Sequence, residues 1–149
     1  MKACPLIAAL FAATAALADE PPTRKSGLWE IRVLNGGAGG AQTMQQCIDR
    51  KTDDMMRDQA RGLEQSACSK KELRREGPNL VAESVCKVGS STATTRAVFV
   101  GSFDSAYKVD IRSTYEPPYQ GMRESRAQLE ARWLGPCKPG QKPGQLFLR

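Results

Sequence analysis

Ser84-Val85-Cys86-Lys87 spells Ser-x-x-Lys, the spacing at which a lysine can act as base for a serine nucleophile when both project from one helix face. The surrounding residues alternate like a strand, where positions three apart point to opposite faces, so the pair is not assembled. The chain has no histidine, which removes the side chain that most often moves protons or binds a metal near neutral pH. The acids Glu30, Asp110 and Glu130 stand on strand faces beside Arg32, Arg112 and Arg132. That placement reads as cross-strand ion pairing rather than as an acid–base pair. Asp53 and Asp54 read as first-turn residues of a helix. Gly36 to Gly40 lacks the lysine of a phosphate-binding loop. Met44, Met55, Met56 and Met122 are soft donors of the kind copper(I) takes, but their scatter suits packing better. In Lys70-Lys71-Glu72-Leu73-Arg74-Arg75 the charges split between two faces of a strand, so no basic patch for nucleic acid forms. The sequence therefore predicts no catalytic residue, no metal site and no cofactor.

Compartment follows from the N-terminus and the cysteines. Met1-Lys2, an apolar stretch from Pro5 to Leu17 and the small-residue end Ala16-Leu17-Ala18 match a secretory signal peptide over residues 1–18. The stretch is shorter than the roughly 20 apolar residues of a spanning helix. Cleavage near Ala18 predicts a periplasmic or secreted product that is not an integral membrane protein. Cleavage also removes Cys4 and leaves Cys47, Cys68, Cys86 and Cys137, an even set in an oxidising compartment and so two disulfides. Two pairings are open: Cys68–Cys86 across a hairpin centred on Gly77, or Cys47–Cys68 with Cys86–Cys137. An up-and-down strand order would bring Cys47, Cys68 and Cys86 to one rim and Cys137 to the other. The net charge of +6 falls by one with Lys2, and both signs are interspersed, as on an ordinary solvated surface.

The elements that would position a site are mostly strands. Residues 19–26 read as an extended lead-in and 27–137 as one β-rich domain. Trp29, Ile31 and Val33 share a face, as do Tyr107, Val109, Ile111, Ser113 and Tyr115, and then Ala127, Leu129, Ala131 and Trp133. Strands are also predicted over Thr43 to Ile48, Ser69 to Arg75, Leu80 to Val88 and Thr92 to Gly101, with a Pro-rich loop from Glu116 to Met122. Thr52 is placed to cap one short helix ending near Gly62. Residues 138–149, with their repeated Lys-Pro-Gly, read as an exposed tail. The fold class predicted is mainly β: a curved antiparallel sheet or partly open barrel of about seven strands, one short helix and two disulfides.

Five segments carry a family resemblance: Gly27-Leu28-Trp29-Glu30, Gln46-Cys47-Ile48-Asp49, Ser84-Val85-Cys86-Lys87-Val88-Gly89, Phe103-Asp104-Ser105-Ala106-Tyr107 and Ala131-Arg132-Trp133-Leu134-Gly135-Pro136-Cys137. With them the chain resembles the secreted bacterial family known as domain of unknown function number 3617. The resemblance implies export and four cysteines, and it implies no activity.

The poverty of catalytic groups beside a long one-sided apolar face predicts a non-enzymatic binding module for an apolar small molecule or lipid. Trp29, Val109, Ile111, Leu129 and Trp133 are its candidate ligand residues. The alternative is an envelope interaction protein whose same residues fill a core and which contacts a protein or anionic surface through its basic face and tail.

Overall fold

Alternation of apolar and polar residues resolves into strands wherever the sequence shows it. The computed structural model of the chain describes residues 22–36, 40–53 and 68–148. Eight strands follow in order: β1 (Gly27–Gly36), β2 (Gln42–Ile48), β3 (Cys68–Glu76), β4 (Asn79–Val88), β5 (Ser91–Ser102), β6 (Ala106–Tyr119), β7 (Met122–Gly135) and β8 (Leu146–Leu148). They form one open antiparallel sheet in the order β3-β4-β5-β6-β7-β1-β2-β8. The run from β3 to β7 is a meander, and β1 then pairs with β7 so that the first hairpin extends the sheet beyond the last long strand.

The Pro-rich loop and the C-terminal tail differ from the sequence reading. The expected loop from Glu116 to Met122 is strand except at Gln120-Gly121, where both residues have positive φ as a two-residue hairpin turn requires. Pro117 and Pro118 lie past the last β5 partner, Thr92 opposite Glu116, where a missing N–H costs no ladder bond. The expected tail instead folds back: Gly144 N donates to Cys47 O, Cys47 N donates to Gln145 O, and β8 pairs with β2, making eight strands rather than seven. The helix expected from Thr52 lies outside the described residues beyond Asp53. Among the described residues there is no helix, and Thr52 closes a turn with Asp49, whose carboxylate accepts from Thr52 N at 2.8 Å.

The disulfides are Cys47–Cys137 and Cys68–Cys86. Cys47 and Cys137 stand at the rim where β1 begins, and Cys68 and Cys86 at the opposite one, so the expected grouping of three cysteines on one rim is wrong. Closure of the meander through β1 causes this, because it turns β2 so that Cys47 finishes beside the end of β7. In the β3–β4 hairpin Glu76 faces Asn79, and that register alone would set Cys86 opposite Ser69. A bulge between Cys68 and Lys70 shifts the strand by one residue and brings Cys68 to Cys86.

The core lies on one face, here called the inner face. Trp29, Ile48, Leu80, Ala82, Ala97, Phe99, Tyr107, Val109 and Ala131 form one buried cluster. The small Ala131 on β7 lets the Trp29 ring on β1 reach the Tyr107 ring on β6, with centroids 5.6 Å apart. Phe103, in the β5–β6 loop, adds a ring 5.0 Å from Tyr107.

Candidate ligand face and the charged face behind it

At the rim where β1 begins, the inner face is closed by polar contacts. Arg24 and Asp53 form a buried ion pair, Nε to Oδ1 2.8 Å, and Arg24 Nη1 also donates to the Tyr107 hydroxyl at 3.3 Å. Lys25 N donates to Phe103 O, and the Trp29 indole N–H donates to Lys25 O at 2.8 Å. These bonds satisfy the polar groups that the lead-in carries into the core, as burial demands. The lead-in thus seals this end of the sheet.

All five candidate ligand residues share the inner face, but they do not share one environment. Trp29 and Val109 are enclosed in the core cluster, at 0% and 4% exposure, and offer no surface to a ligand. Trp133 is half-buried at the sealed rim, with Lys25 Nζ 3.7 Å from its ring centroid and its indole N–H donating to Ser26 O. Ile111 and Leu129 are half-buried beside the cluster.

Cross-strand register shows where the apolar surface continues. Ala131 faces Ile31, Ile31 faces Met44 and Met44 faces Leu148, a row running from β7 to the β8 edge. Exposure rises along it, from 3% at Ala131 through half-buried Ile31 and Met44 to 82% at Leu148. Met44 and Leu148 were not among the predicted ligand residues. The strand pattern of β2 carried a signal for Met44, while three residues at Leu146–Leu148 are too few to show a period.

Farther from the sealed rim the inner face turns polar. Ser84, Thr95, Ser113 and Ser125 stand opposite one another on β4 to β7. Thr95 and Ser113 share a hydrogen bond of 2.8 Å, and the Tyr115 hydroxyl meets that of Ser125 at 3.0 Å. The serine of the Ser-x-x-Lys spacing is in this row, whereas Lys87 bonds Thr92 instead at 2.8 Å. These two side chains are not brought together.

The outer face is a lattice of charges. Arg74, Glu76, Arg96 and Glu83 close a ring of ion pairs of 2.5–3.0 Å. Val81 sits between them on β4 and is fully buried. Hydrogen bonds from Arg74 first, then Lys70 and Arg96, hold the Glu83 carboxyl far below the usual glutamate value. A second group surrounds an open depression of about 510 Å³ with Glu30, Arg32, Lys108, Glu130 and Arg132 on its wall and Val100 and Ala106 among its apolar lining. Lys108 pairs with Glu130 at 2.8 Å and lowers its pKa, and Arg132 pairs with Glu30 at 3.3 Å. Asp110 is engaged by Gln128 and Arg112, which lower its pKa in that order. Glu30 and Glu130 thus pair across strands as expected, whereas Asp110 pairs with Arg112 on its own strand.

Among the described residues no group of three or more His, Cys, Asp or Glu stands close enough to hold a metal ion. Met44 and Met122 lie on β2 and β7, and Met55 and Met56 are outside the described residues. Among the described residues, too, no helix is long and apolar enough to cross a membrane.

An open, disulfide-stapled antiparallel sheet with one apolar and one ion-paired face defines a small β protein. The chain belongs to the family described as "Protein of unknown function (DUF3617)", whose model matches residues 24–137. No curated protein and no solved structure matches it.

Proposed function

We propose that this chain is an exported, non-enzymatic binding module that takes an apolar small molecule, or the acyl part of a lipid, on its inner face. The observation that carries the reading is the apolar row from Ala131 through Ile31 and Met44 to Leu148, which leaves the filled core and runs out to solvent at the sheet edge. Ile111 and Leu129 are half-buried on the same face, and the hydroxyls of Thr95, Ser113 and Ser125 lie farther along it, away from the sealed rim, for a polar end group. Small-molecule sites commonly combine an apolar lining with a few placed polar groups. Export rests on the signal-peptide pattern of residues 1–18.

Titration with a fluorescent acyl-chain probe tests the reading. Binding should saturate at one site and weaken about tenfold in Leu148→Asp, a change at an exposed position that spares the core. Absence of saturable binding, or equal binding by the variant, would refute it.

A second reading has its own support. Trp29 and Val109 are closed off in the core, and the open depression between Arg32, Lys108, Arg132, Glu30 and Glu130 is on the outer face. A protein partner at the cell envelope could dock there. Loss of partner capture on reversing Lys108 and Arg132, with no saturable probe binding by either protein, would favour this function over ligand carriage.

A further inference from the structure

We infer that the free edge of β3 is a strand-addition site for an extended acidic segment of another protein. This goes beyond the ligand reading and uses a different part of the sheet. β3 is a nine-residue strand at one end of the sheet order, paired only with β4 among the described residues. From Ser69 onward, one edge of its backbone therefore presents peptide groups with no strand beside them among the described residues. Such an edge is a template for a further strand.

The charges on β3 say which strand fits. Lys70, Glu72, Arg74 and Glu76 face outward, and all four are tied into ion pairs among themselves or with Glu83 and Arg96. Lys71 and Arg75 face inward, opposite Ser84 and Leu80, and neither makes an ion pair among the described residues. Between them Leu73 is half-buried and packs against the core cluster. Inward-pointing cations on an edge strand deter pairing with neutral or cationic strands, so an acidic strand is the kind of partner that these two admit. Here the unpaired cations are both on the inner face and flank the one apolar residue. A strand laid along β3 with acid, apolar and acid at alternate positions would neutralise Lys71 and Arg75 and extend the core over Leu73. Directly opposed, oppositely charged pairs stabilise neighbouring strands, and like charges repel.

The test uses the oxidised full-length protein and two short Thr/Val-rich peptides, one with Asp-x-Val-x-Asp and one with Lys-x-Val-x-Lys. The acidic peptide should bind about tenfold more tightly and slow amide exchange over Ser69–Glu76. Lys71→Glu with Arg75→Glu should reverse the preference, with circular dichroism and both disulfides unchanged. Equal affinity for the two peptides, no added protection over β3, or no reversal in the charge-swapped variant would overturn the inference. Binding of a single-stranded oligonucleotide with the same affinity would overturn it as well, since charge alone would then suffice. Acyl-probe binding is a separate readout, so failure of either proposal leaves the other standing.

Discussion

Gly27 shows how one atom can be excluded by packing. It has φ +139°, and a Cβ built there would lie 2.3 Å from the Trp133 indole nitrogen and 2.4 Å from Gly135 O. Gly27→Ala should therefore destabilise the protein by at least about 2 kcal/mol, through backbone strain and displacement of Trp133. Urea unfolding of the variant measures this, and an unchanged midpoint would show that the rim relaxes at little cost. Four of the five segments that carry the family resemblance come together in the same place, while Ser84-Val85-Cys86-Lys87-Val88-Gly89 carries the cysteine of the opposite rim. Gly27 and Trp29, Cys47, Phe103 and Tyr107, and Trp133, Gly135 and Cys137 meet at or beside the sealed rim. They are packing and stapling residues. At this scale the alternation of Trp29, Val109, Ile111, Leu129 and Trp133 was legible because a strand has period two. Their separation into closed and half-open positions was not, because it depends on Ala131 and Lys25, which approach from other parts of the chain.

Among elements, the two disulfides differ in the length of chain they close. Cys47 and Cys137 are 90 residues apart and Cys68 and Cys86 are 18 apart. Loop entropy then assigns about 4.6 kcal/mol to the first and about 3.2 kcal/mol to the second. The Cys47→Ser/Cys137→Ser protein should unfold at lower urea than Cys68→Ser/Cys86→Ser; the opposite order would mean that the hairpin staple holds the sheet together. The β3–β4 hairpin could be read from Glu76-Gly77-Pro78-Asn79, with Gly77 at φ +60° in its turn. The bulge at Ser69 could not, and it sets Cys68 rather than Ser69 opposite Cys86. The β2–β8 pairing was equally hidden, since β8 is only three residues long and its partner is about a hundred residues earlier in the chain.

The ion-pair ring on β3, β4 and β5 carries a pH dependence with a definite sign. Glu83 has its folded-state pKa lowered from the usual 4.5 by Arg74, Lys70 and Arg96, and Glu76 is lowered by Arg96 and Arg74. A depressed carboxylate pKa stabilises the fold above the unfolded-state value, and that contribution is lost as pH falls toward the folded-state value. Stability should thus decline as pH drops below about 4.5, and Glu83→Gln should flatten the decline. Melting temperatures of both proteins across acidic pH check this, and parallel curves would remove Glu83 from the cause. Because the ring is solvent-exposed, added salt should weaken its effect.

For the whole molecule, the mainly β, open and antiparallel character followed from residue patterns, while the strand order did not. Pairing of β1 with β7 joins residues about a hundred positions apart, and local alternation carries no record of such a partner. The lead-in seals one rim and leaves the inner face half-open beyond it, which is the basis of the binding proposal. The most direct measurement is native mass spectrometry of the oxidised protein recovered from the envelope or medium of the exporting cell, followed by solvent extraction. The account predicts a chain beginning at Asp19 that carries one apolar molecule per protein, with Leu148→Asp recovered largely empty. A chain that retains residues 1–18, or a bare protein whose mass and extract match those of Leu148→Asp, would contradict it.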